Sequence, residues 1–352
     1  MPVLVFQVGL GMKLSKVLQG LLVISALAGA CNQFDKKDGK VVLDKGILEK
    51  APFAPLTDSV GDYPKDPGIY FRRGELLTQN NQHELAYLDY KKSWDLKTDE
   101  NTAIAFISNM FMLGKTEEGL GLLKVCVRKF PANPVFTRRL SETYVQTGRS
   151  KEALEQYDKL LQENSEDFES WYEKGMLLAE TGDTANAIQA LERSFVLQPI
   201  QLSGLALANL YAETKNPNTL LVCDAMLKRD TAQETIDPVF IKGIYFNNIH
   251  EPNKAIEQFD ECIKRDWKFT EAYIEKGITQ FQQKNMDAAL KTFELAATVS
   301  NTYPDAYYWQ GRCYEAIGKK EDALNNYVRA LALDKSFVQA RQGIERLRSG
   351  TK

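Results

Sequence analysis

Histidine is almost absent: His83 and His250 are the only two in a chain of 352 residues. Both fall near expected inter-helix turns, and neither sits at a ligand spacing from Cys, Asp or Glu, so imidazole-based and metal-centred chemistry have no residue set to rest on. Cysteine is scarce too. Cys31, Cys126, Cys223, Cys262 and Cys313 contain no CxxC spacing, which excludes a zinc or dithiol motif at the sequence level. No GxSxG, no Gly-rich phosphate loop and no arginine cluster occurs. The 44 Lys and Arg are offset by 47 Asp and Glu, a formal net charge of −3, where a nucleic-acid binder would carry a basic stripe. No catalytic, cofactor or metal residue is therefore assigned. The chain reads as a non-enzyme that expects neither nucleic acid nor a small-molecule substrate.

What is present begins with a sharply different N-terminus. Lys13 and Lys16 give a short basic start, Leu21 to Ala30 is an apolar run, and Leu27-Ala28-Gly29-Ala30-Cys31 closes it with small residues. That order is a secretory signal over residues 1–30, with translation expected to start at Met12. Small residues directly before a cysteine resemble the lipobox of bacterial lipoproteins. The resemblance implies cleavage ahead of Cys31, lipidation of that residue, and a membrane-anchored chain in the bacterial envelope; Asn32 behind it suits the outer membrane. Several acyl chains, at about 0.8 kcal/mol per buried CH₂, make such an anchor practically permanent. Residues 31–52, rich in Lys and Asp, read as a flexible tether. The other four cysteines are scattered at inward positions and read as small buried hydrophobes.

Internal periodicity dominates the rest. Gly243, Gly277 and Gly311 lie 34 apart, as do Ala255, Ala289 and Ala323. Tyr273 and Tyr307 keep the same step four residues before the glycine; Phe259, Phe293 and Tyr327 keep it sixteen after. Upstream, Trp171, Gly175, Ala187, Leu191 and Pro199 follow the frame, as do Tyr70, Gly74, Ala86 and Tyr90. Within one period, from Trp171 to Leu178, apolar or small residues recur at i, i+4 and i+7, one face of a helix. Gly182 breaks that helix, and Ala187, Leu191, Ser194 and Leu197 mark a second one closed by Pro199. Small residues at the crossings let two helix axes approach, while aromatics fill the space between hairpins. No hairpin can bury both of its sides alone, so the unit exists only in an array.

These residues resemble the tetratricopeptide repeat. The pattern covers residues 67–337 as eight repeats starting near 67, 100, 134, 168, 201, 236, 270 and 304. The second is weaker, with Gly119 and Cys126 in place of two alanines, and the fifth has Leu220 and lacks the turn glycine. The resemblance implies an all-α, right-handed solenoid of about eight hairpins. Residues 53–66, with Phe53, Leu56 and Val60, fit an N-terminal capping half-repeat; residues 338–352, with Ala340, Ile344 and Leu347 in one stripe, fit a C-terminal capping helix.

The resemblance also implies a concave groove lined by first helices. Carried onto this sequence, its exposed positions are Phe71, Arg138, Tyr172, Met176, Asn209, Phe240, Ile244, Asn247, Asn248, Ile274, Tyr308 and Arg312, with Phe111, Glu142, Leu205, Glu213 and Glu315 among their neighbours. The mixture suits an extended or helical peptide, apolar anchors taking its side chains and Asn209, Asn247 and Asn248 its backbone amides. The lysines of a two-carboxylate clamp are absent from the matching positions. The functional expectation is a protein-interaction scaffold or adaptor in an envelope complex. Two other readings stay open: a cytosolic co-chaperone or regulatory binder, and a glycan- or peptidoglycan-binding subunit using Trp171, Tyr172 and Tyr308.

Overall fold

In the computed structural model, which describes residues 45–349 apart from 231, 233 and 234, every regular element is helical. A 3₁₀ turn at Lys45–Glu49 precedes α1 (Ala54–Asp62). Eight hairpins follow: α2 (Pro67–Gln79) with α3 (His83–Leu96), α4 (Glu100–Met112) with α5 (Thr116–Lys129), α6 (Pro134–Gln146) with α7 (Ser150–Glu163), and α8 (Phe168–Glu180) with α9 (Thr184–Leu197). Then come α10 (Gln201–Glu213) with α11 (Asn218–Leu227), α12 (Asp237–Asn248) with α13 (Pro252–Arg265), α14 (Thr270–Gln282) with α15 (Met286–Val299), and α16 (Pro304–Ala316) with α17 (Lys320–Leu333). The last helix is α18 (Val338–Ser349). The signal segment, the start at Met12 and the lipidation site Cys31 lie outside the described residues.

Local chemistry sets the helix ends. Pro67, Pro134, Pro252 and Pro304 open their helices where a missing N–H costs nothing. Side chains of Asp66, Asp99, Asn133 and Asp167 accept from first-turn amides, a cap worth about 1 kcal/mol each. Between the two helices of each hairpin one residue turns the chain at positive φ: Asn81, Gly114, Gly148, Gly182, Lys215, His250, Lys284 and Gly318. Half of these are not glycine. In the fifth hairpin Lys215 holds the conformation at φ 57° that the missing glycine would have supplied.

The chain divides into two compact units between Leu122 and Leu123, inside α5. In the first unit, Phe53, Leu77, Ala86, Tyr90, Phe106 and Met110 form one core. Ile47 and Leu48 pack against it, so the expected tether over 31–52 is corrected at its C-terminal end: the apolar pair beside Phe53 is drawn onto the first hairpin. Arg73 binds Asp89 through Nε (2.7 Å) and Nη2 (2.8 Å), and its Nη1 donates to Thr57 Oγ1 (3.2 Å), joining α1, α2 and α3. A Cβ on Gly74 would lie 2.8 Å from the Tyr90 ring. In the second hairpin the roles are exchanged. Phe111 of α4 supplies the ring, and Gly119 of α5 the space for it.

In the second unit the contact of a large side chain with a glycine recurs. Added Cβ atoms on Gly175, Gly243 and Gly311 would meet Leu191 at 2.7 Å, Phe259 at 2.5 Å and Tyr327 at 2.7 Å; Gly277 meets Phe293 in the same way. Ala153, Ala187, Ala255, Ala289 and Ala323, the small crossing residues of the second helices, are fully buried. Each core joins consecutive hairpins: Leu191, Leu207, Tyr211, Cys223, Ile241 and Tyr245 form one cluster across three of them. Ion pairs repeat between hairpins as well, Lys174 with Asp158 (2.5 Å), Lys242 with Asp224 (2.9 Å) and Lys276 with Asp260 (2.6 Å). Helix α18 caps the end: Ala340 and Ile344 are buried, Gly343 admits the Tyr327 ring, and Arg346 clasps Glu315 at 2.6 and 2.7 Å.

Candidate partner-binding site

In the first unit α2 sets Phe71 half-buried against Tyr90, ring centroids 6.0 Å apart, and α4 turns Phe111 into its hairpin onto Gly119.

In the second unit the groove positions fall into three groups. Phe240 and Ile274 are interior, 5% and 6% exposed, which removes them from any docking surface. The cause is local crowding by rings: Phe240 packs on Phe259 (5.6 Å) and edge-on to Phe269 (5.2 Å), and Ile274 joins the core of Tyr273 and Phe293.

A second group is committed to neighbouring hairpins. Arg138 pairs with Asp167 at 2.7 Å and Glu169 at 3.6 Å. Against the desolvation of burial, hydrogen bonds from the Ser170 hydroxyl and amide, then the charge and hydrogen bond of Arg138, hold the Asp167 carboxyl below its ordinary pKa. Asn247 Nδ2 donates to Thr279 Oγ1 (2.8 Å), and Asn248 Nδ2 donates to the Ala212 carbonyl (2.9 Å). Two of the three amides expected to hold a peptide backbone are thus engaged in joining hairpins. Arg312 donates to Tyr308 Oη (3.0 Å) and lies over the rings of Phe281 and Trp309, while Tyr308 packs on Trp309, Tyr327 and Phe337.

The third group stays available. Tyr172 and Met176 of α8, Leu205 of α10 and Ile244 of α12 are half-buried, each resting on a hairpin core with the remainder facing out. Asn209 is exposed. Burial raises the pKa of Glu142 and Glu213, and Glu173 adds to the rise at Glu142. Apolar anchors, one amide and carboxylates can hold an amphipathic segment by contact and hydrogen bonding.

The nucleophiles are elsewhere and muted. Cys126, Cys223, Cys262 and Cys313 are free and fully buried, as expected of small hydrophobes. Desolvation pushes their thiols up, to about 11 for Cys126 and about 12 for the other three. His250 lies in a hairpin turn and His83 at the start of α3. Among the described residues no helix is long and apolar enough to cross a membrane. The inter-hairpin Lys–Asp pairs and the Arg73–Asp89 pair escaped the sequence reading; the basic residue directly before the repeat glycine, Arg73, Lys174, Lys242 and Lys276, was their only trace.

Residues 138–197 and 304–337 match family models described as tetratricopeptide repeat. The chain is similar to tetratricopeptide repeat protein 1 of Schizosaccharomyces pombe, 23% identical over 216 residues, which is 55% of this chain and 20% of that protein. It thus spans about a fifth of that curated relative's length. A tetratricopeptide repeat protein from Parabacteroides merdae, known from its crystal structure, is 17% identical and superposes with a TM-score of 0.56, covering 70% of this chain and 98% of that one. At that identity the likeness concerns the fold alone.

Proposed function

We propose that this chain, a member of the tetratricopeptide-repeat family, is a protein-interaction scaffold that holds a peptide or protein segment along its first helices. The observation that carries this reading is what the hairpins leave over. After every core has closed, Tyr172, Met176, Leu205 and Ile244 still present apolar surface on α8, α10 and α12, with Asn209 exposed among them. Half-buried anchors of this kind are already fixed by the core behind them, so a partner meets them with little further loss of side-chain entropy. The bound segment lays aliphatic or aromatic side chains on them and offers its backbone to the Asn209 amide.

The scaffold is held at the membrane by a lipid on Cys31, as an adaptor in a bacterial envelope complex at the outer membrane. The support is in the sequence: two lysines, an apolar run and small residues lead directly to that cysteine. The full chain and its Cys31→Ala variant, expressed in a Gram-negative host, test this by detergent partitioning. The reading expects the unaltered chain in the detergent phase and the variant in the aqueous phase. Identical partitioning of the two would remove the anchor from the account.

A further inference from the structure

Away from the surface just described, α7, α8 and α9 border an open cleft of about 560 Å³. Its apolar wall is Leu154 of α7, Trp171 and Leu178 of α8, and Ala190 of α9. Trp171 is fixed in place, its Nε1 donating to the Ser165 carbonyl at 3.0 Å. A smaller hollow of about 260 Å³ continues the cleft along α9, sharing Gln189 and Arg193 and reaching Val196, which is 73% exposed.

The charges around this cleft are uneven in their partners. Lys174 is neutralised by Asp158 at 2.5 Å. The Glu192 carboxylate accepts a hydrogen bond from the Tyr211 hydroxyl. Arg193, between the two hollows, makes no hydrogen bond or ion pair among the described residues, and neither does the Gln189 amide beside it. Asn186, Gln189, Arg193 and Val196 share one face of α9, a stripe about 15 Å long, the span of four or five residues of extended chain. The cleft therefore offers an apolar wall around a fixed indole, then a single uncompensated guanidinium, then an exposed aliphatic residue.

We propose that this cleft is a second docking site, for a short extended peptide that pairs aliphatic side chains with an Asp or Glu. An aliphatic side chain packs against Trp171, Leu154 and Leu178, and the carboxylate pairs with Arg193 in the fork geometry guanidinium favours. Gln189 meets the peptide backbone, and Val196 takes the next apolar side chain. This site is independent of the one on the first helices.

Fluorescence polarisation on the full chain tests it, using a dye-labelled hexapeptide of alternating Leu and Glu and its counterpart of alternating Leu and Gln. The acidic peptide binds, the neutral one at least about tenfold more weakly, and Arg193→Glu reduces acidic-peptide binding by a similar factor. Lys151→Glu, the same charge change on the exposed side of α7, leaves binding within about twofold. Equal losses for Arg193→Glu and Lys151→Glu, or no binding at millimolar peptide, would overturn the proposal. Displacement of the peptide by neutral chitotetraose would overturn it too, making the cleft a sugar site.

Discussion

The ring of Phe111 fills the space that a Cβ on Gly119 would need. Elsewhere the first helix brings the glycine and the second helix the large side chain, as in Gly243 with Phe259; here the order is reversed. The exchange explains why the second repeat departs from the pattern yet keeps its hairpin. Gly119→Ala should therefore destabilise by about 1–3 kcal/mol, the usual cost of overpacking. Adding Phe111→Leu should recover part of that loss. Urea denaturation of the two variants checks both, and an unaffected Gly119→Ala would deny the close approach.

Lys215 and Lys284 turn their hairpins at φ of 57° and 62°, a region that suits glycine better than any residue with a Cβ. Lys215→Gly and Lys284→Gly should each stabilise the chain by about 0.5–1 kcal/mol, the local relief exceeding the added entropy of the unfolded chain. Gly182→Ala, at φ 85°, should have the opposite sign. Thermal melts of the three variants separate these outcomes.

Much of the fold was legible because the pattern repeats. One period showed which helical face is buried, and eight copies fixed where hairpins begin. What the period could not show is depth. Phe240 and Ile274 stand at groove positions by register, yet Phe269 and Phe293 close over them, and those rings come from elsewhere in the chain. Nor does a helical register say which polar side chain meets which. Asn247 reaches Thr279 and Asn248 reaches Ala212 across hairpins, contacts decided by how far neighbouring helices are offset. Tyr172 and Met176, by contrast, are only half-buried, and Asn209 is exposed.

The Arg73–Asp89 pair, with side chains 8% and 7% exposed, is nearly removed from water. Deleting one partner strands a buried charge, so Asp89→Ala should cost about 3–5 kcal/mol. Replacing both, as Arg73→Met with Asp89→Leu, should cost distinctly less. Denaturation of single and double variants gives the comparison; equal losses would mean the charges themselves stabilise the fold.

Burial, and then the negative charge of Asp305, raise the Glu275 carboxyl to about 7. The folded chain thus holds this proton more tightly than the unfolded one. The associated stability is fully present below the ordinary value of 4.5 and is lost as pH rises through about 7. Glu275→Gln, which imitates the protonated form, should melt like the unaltered chain at acidic pH and higher than it at alkaline pH. A melting difference that does not change with pH would contradict the shift.

The account rests on a partner lying along the first helices, and photocrosslinking in the native cell probes that most directly. A photoreactive phenylalanine analogue replaces Asn209 on α10 in one strain and Leu221, 68% exposed on the paired helix α11, in another. The account predicts a discrete crosslinked protein from position 209 that is absent from position 221. Crosslinks of equal yield and identity from both positions, or none from position 209, would contradict it.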